Sequence, residues 1–172
     1  MATPKFGNTS LMLSVVLWGT LLGGIAYSHL VYFPVYLSAL PDSAVVVNGP
    51  YGLHESIFWG LIHPLLILSL VFTLAMNWRL RARRWLVIAS FTVYVSVLVV
   101  SAVYFIPELG NFARSPQQAG VSPAEWLARG ERWQRLSWLR GAVMYASVFP
   151  LLFALTKPAG VPQATATAAV VG

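Results

Sequence analysis

Four apolar windows dominate the chain, at about Leu11–Leu40, Leu53–Trp78, Trp85–Ile106 and Trp133–Thr156. A transmembrane helix needs about 20 mainly apolar residues, so each window is long enough to cross a bilayer. In lipid, backbone N–H and C=O groups find no water, and a spanning segment satisfies them as a helix or in a closed barrel. Windows of this length select the helix. The sequence therefore predicts an all-α polytopic membrane protein. Its fold is an antiparallel bundle of four transmembrane helices over residues 1–158, followed by a low-complexity tail at 159–172. Composition agrees: 58% of the 172 residues are hydrophobic and 9% charged. A soluble domain carries about 25% charged residues, and a chain with so few could not coat a water-facing surface. There is no cysteine, which excludes thiolate metal sites, iron–sulfur clusters and disulfides.

Charge sets the expected orientation. The short link after the second window holds Arg79, Arg81, Arg83 and Arg84, and Lys5 and Lys157 fall at the same end. All five acids, Asp42, Glu55, Glu108, Glu125 and Glu131, fall at the other end with the remaining arginines. The positive-inside rule places both termini in the cytoplasm, as in a bacterial inner membrane. The net charge of +6 is thus explained by topology rather than by nucleic-acid binding. Trp78 and Trp85 at one boundary, with Trp133 and Trp138 at the other, suit an aromatic belt. The first window is about twice the length of a signal-peptide core and reads as a retained helix. Pro34 and Pro64 are expected to kink their helices. The outer loop 107–132 contains Ser122-Pro123-Ala124-Glu125, which reads as an N-cap, a proline at the first helical position and an acid in the first turn. A short helix is expected from about Pro123. The tail and the Gly19-x-x-x-Gly23 step point to other membrane subunits or a homo-oligomer as partners.

Ionisable side chains within membrane spans are functional candidates by default. His29 lies 11 residues before Leu40 and His63 lies 10 after Leu53. At about 1.5 Å per residue both sit roughly 15 Å below the outer surface, on helices expected to be neighbours. Three readings compete. In one, His29 and His63 ligate a haem b iron from opposite sides, with Gly23, Gly24 and Gly60 making room for the porphyrin. In another, they hold non-haem iron or copper, or His54 and Glu55 form a shallower metal site with Glu108. In the third, the imidazoles bond hydroxyls such as those of Tyr27, Ser28, Tyr32 or Tyr104. Arg140, about seven residues into the fourth window, holds its proton firmly and needs a counter-ion: Glu55, Glu108 or a cofactor carboxylate.

Three stretches carry a family resemblance. They are Gly23-Gly24-Ile25-Ala26-Tyr27-Ser28-His29 leading to Phe33-Pro34, Tyr104-Phe105-Ile106-Pro107-Glu108-Leu109, and Trp133-Gln134-Arg135-Leu136-Ser137-Trp138-Leu139-Arg140. In these the chain resembles the anthrone oxygenase-like superfamily of small four-span membrane proteins. The resemblance implies a membrane oxygenase acting on an apolar substrate near the outer helix ends, with Arg140 and Glu108 as site residues; Tyr104, within the second stretch, is a further catalytic candidate. The reading is a membrane redox protein with haem or metal between spans one and two. Its alternative is a non-catalytic accessory subunit of a larger membrane complex. Neither a G-x-S-x-G stretch nor a phosphate-binding G-x-x-x-x-G-K-[ST] loop occurs, so serine hydrolysis and nucleotide hydrolysis have no support.

Overall fold

The structure, a computed structural model, describes residues 4–159. The tail expected to mediate partner contacts lies almost wholly outside them. The described residues form helices and turns with no strand. Four helical stretches are long and apolar enough to cross a membrane: Lys5–Tyr36, Ser56–Met76, Arg81–Ala113 and Pro123–Thr156. The all-α four-span architecture therefore holds, and the protein has the build of an integral membrane protein.

The first span joins α1 (Pro4–Tyr27) to α2 (Phe33–Tyr36) through a widened turn at Ser28–Tyr32. The second is α3 (Ser56–Met76). The third joins α4 (Arg81–Val100) to α5 (Ile106–Ala113) through a second widened turn at Ser101–Phe105. The fourth is α6 (Pro123–Ala146) followed by α7 (Phe149–Thr156). Each widened turn ends two residues before a proline, Pro34 or Pro107. A proline ring collides with the carbonyl four residues back. A π-type turn adds a residue to the loop and relieves that collision while the helix continues. Pro64, by contrast, sits inside an unbroken α3.

Several boundaries differ from the sequence reading. The first span begins near Pro4 and its helix stops at Tyr36. Leu37 and Leu40 beyond it are 6% and 2% exposed. Their apolarity serves a folded cap at the acid-rich end of the bundle, termed the outer end, rather than lipid. Residues 107–113, expected as loop, extend the third helix. The helix beginning at Pro123 is not short but runs straight into the fourth span, started as expected by the Ser122 hydroxyl accepting from the Glu125 N–H at 3.2 Å. At about 1.5 Å per residue the 33-residue Arg81–Ala113 helix is about 50 Å long, well beyond a hydrocarbon core of about 30 Å. The excess builds the outer cap, in which Asn48 donates to the Ala113 carbonyl at 2.8 Å and closes the end of α5.

The bundle has two packed centres. The membrane centre gathers Leu11, Trp18, Leu21, Leu66, Leu70 and Met144. The outer centre gathers Tyr32, Phe33, Tyr36, Phe105, Phe112, Trp126 and Trp133. Span one packs along α3, and α4 against α7. Near the arginine-rich end, hydroxyls join spans one and two. Ser14 meets Ser69 at 2.8 Å and Thr73 at 2.9 Å, and Thr73 donates to the Ser10 carbonyl at 2.8 Å. Interhelical bonds of this kind replace the hydrophobic drive that lipid does not supply. Arg83, 2% exposed, reaches Asn8, Asn77 and the Lys157 carbonyl. It thereby ties both ends of the described chain to the link between spans two and three.

Candidate functional site

Between the two packed centres lies a cavity of about 740 Å³. Its walls come from all four spans and are mostly apolar. The polar groups that reach it include Ser28, His29, Glu55, His63, Tyr94, Ser101 and Arg140. His29 and His63, which the sequence placed at equal depth, do line one cavity together. Arg140 joins them.

The two widened turns supply three of these groups, Ser28, His29 and Ser101, while Glu55, His63, Tyr94 and Arg140 come from regular helices or their caps. His29, 2% exposed, stands in the first turn between Phe33 and Trp138, with ring centroids 5.4 and 4.7 Å away. Its Nδ1 is 2.8 Å from the Ile25 carbonyl, which can only accept, so Nδ1 carries the proton. Its Nε2, 3.0 Å from the Ser137 hydroxyl, is then the acceptor for that hydroxyl in the neutral ring. Ser137 in turn accepts from Arg140 Nη2 at 2.9 Å. The guanidinium also donates through Nη1 to Ser101 in the second widened turn at 3.0 Å, and lies 4.1 Å from the Phe105 ring centre. Ser101 donates its own hydrogen bond to the Val97 carbonyl at 2.7 Å. Every link has a fixed direction: Arg140 to Ser137, Ser137 to His29, His29 to Ile25. Gly141 packs against this group: a Cβ there would stand in ordinary contact with Ile25 and the imidazole, at 3.4 and 3.8 Å.

His63 is held on one side only. Its Nδ1 is 2.7 Å from the Tyr94 hydroxyl, and the Trp59 indole stacks on the ring at 5.6 Å and 24°. Its Nε2 has no hydrogen-bond partner among the described residues, and the exposed His54 also lines the cavity. Glu55 sits at the start of α3. One carboxylate oxygen accepts from Ser28 at 2.6 Å and the other from the Trp59 indole at 3.3 Å.

The candidate ligand sets divide accordingly. Both His29 nitrogens are engaged within the protein, so this arrangement does not suit axial ligation of a haem by His29 and His63. No three His, Asp or Glu side chains among the described residues are grouped as metal ligands. His54 is exposed, and Glu55 turns to Ser28 and Trp59 rather than to Glu108. Of the glycines expected to accommodate a porphyrin, only Gly60 lines the cavity. Gly23 faces outward, with nothing within 4 Å of the point where a Cβ would stand, and Gly24 is the contact point of span one with Phe58 and Trp59.

Glu108 and Tyr104 lie apart from Arg140, in an outer cleft with Arg129, Arg132 and Glu125. There Arg129 grips Glu108 in a two-point pair at 2.8 and 2.7 Å, supported by Asn111 at 3.0 Å and stacked on Trp126 at 4.4 Å. The pair binds α5 to α6. Arg140 thus has no carboxylate within 4.0 Å among the described residues. Sequence reasoning missed Ser137, Ser101 and Tyr94 as the partners that hold the charged groups. A signal was present: Ser137 and Arg140 are three apart on one helical face. The chain matches no family model, no curated protein and no solved structure.

Proposed function

We propose that the cavity binds an apolar molecule carrying an anionic or carbonyl oxygen, and that Arg140 docks that oxygen. One observation carries the reading: a charged guanidinium faces a mostly apolar cavity with two serines and a phenyl ring around it and, among the described residues, no carboxylate within 4.0 Å. A cation in a membrane span is costly unless paired, and a ligand oxygen completes the set. The reaction this reading carries is oxygenation of the bound molecule by dioxygen, the activity implied by the anthrone oxygenase-like resemblance. A haem or metal version would first require Ser137 to release His29. The membrane is proposed to be a bacterial inner membrane, with both termini in the cytoplasm.

The test compares 2-naphthoate with headless 2-methylnaphthalene by calorimetry on the protein in nanodiscs. A charge-assisted hydrogen bond contributes about 1.5–3 kcal/mol, or about 10- to 150-fold in affinity. Arg140→Gln should lose that factor for naphthoate and leave methylnaphthalene unchanged. Equal affinity of both proteins for naphthoate would overturn the docking role. Oxygen uptake with a bound apolar substrate checks the reaction separately.

A second reading, an accessory subunit, has its own observation. Gly19 and Gly23 stand open on the outer face of span one, where another helix can approach closely. Migration as an unaccompanied monomer from native membranes in mild detergent would count against it.

A further inference from the structure

We propose that the arginine-rich end of the bundle carries a binding site for the headgroup of an anionic phospholipid, formed by Arg79, Arg81 and Arg84 with Trp78 and Trp85. The argument begins with charge. Six cations, Lys5, Arg79, Arg81, Arg83, Arg84 and Lys157, belong to this end, while all five acids of the chain belong to the opposite one. The contact of Arg83 with Asn8, Asn77 and the Lys157 carbonyl shows that the fold gathers these segments in one place. Arg83 is buried among neutral acceptors, so its charge is not cancelled locally. Among the described residues this end has no carboxylate side chain, so an external anion can serve as its counter-ion.

The depth of the patch selects lipid phosphate over phosphate in solution. Trp78, in the link between α3 and α4, and Trp85, near the start of α4, are 53% and 57% exposed. Exposed indoles at a span boundary settle at headgroup level. Arg84 lies over both rings, 5.1 and 5.7 Å from their centres, which holds its guanidinium at the same level. Arg79 and Arg81 are exposed beside it. A guanidinium offers paired donors that match phosphate oxygens. This site is independent of the cavity and of the reading given to it.

The experiment uses the full chain in nanodiscs of phosphatidylcholine alone or of phosphatidylcholine with phosphatidylglycerol. Retained lipid is read by native mass spectrometry and thermal stability in parallel. Each arginine near an anionic surface contributes about 1 kcal/mol, so Arg79→Gln/Arg81→Gln/Arg84→Gln should weaken the preference for phosphatidylglycerol by about a hundredfold. Wild-type protein should retain phosphatidylglycerol and melt higher with it, and the variant should show neither effect. Because none of the three side chains is buried, the variant is expected to fold, and its melting in phosphatidylcholine checks this. Equal retention of the two lipids by wild type, or an undiminished preference in the variant, overturns the proposal. So does full stabilisation by inorganic phosphate alone, which would assign the site to a soluble anion.

Discussion

Replacing Ser137 with alanine removes one oxygen and breaks two bonds. The hydroxyl accepts from Arg140 at 2.9 Å and donates to His29 at 3.0 Å. Ser137 is fully buried and His29 is 2% exposed, so water cannot easily take over at the imidazole. In a soluble protein, leaving one buried acceptor unsatisfied costs about 1–3 kcal/mol. Measured interhelical bonds in a membrane protein are weaker, averaging about 0.6 kcal/mol with a maximum of about 1.7. Two such bonds meeting at one atom give an expected loss of about 1–2 kcal/mol for Ser137→Ala. The matched control is Ser96→Ala. Ser96 is exposed and its hydroxyl only bonds back to Thr92 in its own helix, at 2.9 Å. That change should alter stability by less than about 0.5 kcal/mol. Reversible unfolding in mixed detergent micelles, followed by circular dichroism, measures both. The second readout is naphthoate affinity, which should fall in Ser137→Ala because Arg140 loses a positioning contact, and stay constant in Ser96→Ala. Equal stability losses in the two variants would refute the directed chain from Arg140 to Ile25.

Other expectations follow from single contacts. Thr73→Val keeps the shape but loses the hydroxyl that meets Ser14 and donates to the Ser10 carbonyl, and should destabilise the protein by about 1 kcal/mol in the same assay. Gly24→Ala and Gly23→Ala should have opposite signs. A Cβ at Gly24 collides with Phe58, which should cost about 1–3 kcal/mol, whereas at Gly23 it meets open space and should gain about 0.5–1 kcal/mol from helix propensity. Arg129→Gln breaks the pair with Glu108, whose side chains are 24% and 12% exposed. It should cost about 1 kcal/mol and leave naphthoate affinity unchanged, and a loss of binding would instead join the outer cleft to the cavity.

The four spans were legible because lipid imposes one rule on every backbone group, and length plus apolarity answers it. The equal depth of His29 and His63 was legible for the same reason, since rise per residue along a helix is fixed. What lay beyond reach was rotation. Whether Glu108 meets Arg140 or Arg129 depends on which way α5 faces at the end of the third span, and the extra residue in the turn at Ser101–Phe105 resets that direction. The same holds for Leu37 and Leu40, whose apolarity reads as membrane in the sequence but serves the outer centre in the fold. His29 shows a third limit: its residue type suits a ligand, but its two nitrogens are occupied through Ile25, four residues away, and Ser137, on another span.

The widened turns connect these observations. Ser28 and His29 are consecutive residues of one such turn, yet they serve opposite charges. Ser28 donates to Glu55, while His29 accepts from the hydroxyl that holds Arg140. In a regular helix neighbouring side chains diverge by about 100°, and adjacent residues such as Arg140 and Gly141 can still flank one cavity. Ser28 and His29 likewise both line it. The second turn contributes Ser101 to the same guanidinium from the facing span. Pro34 and Pro107 explain why the turns occur at matching places, two residues before each proline. Three of the cavity's polar groups, Ser28, His29 and Ser101, are thus placed where the helices depart from regular geometry ahead of a proline, and two of them, His29 through Ser137 and Ser101 directly, connect to the guanidinium of Arg140.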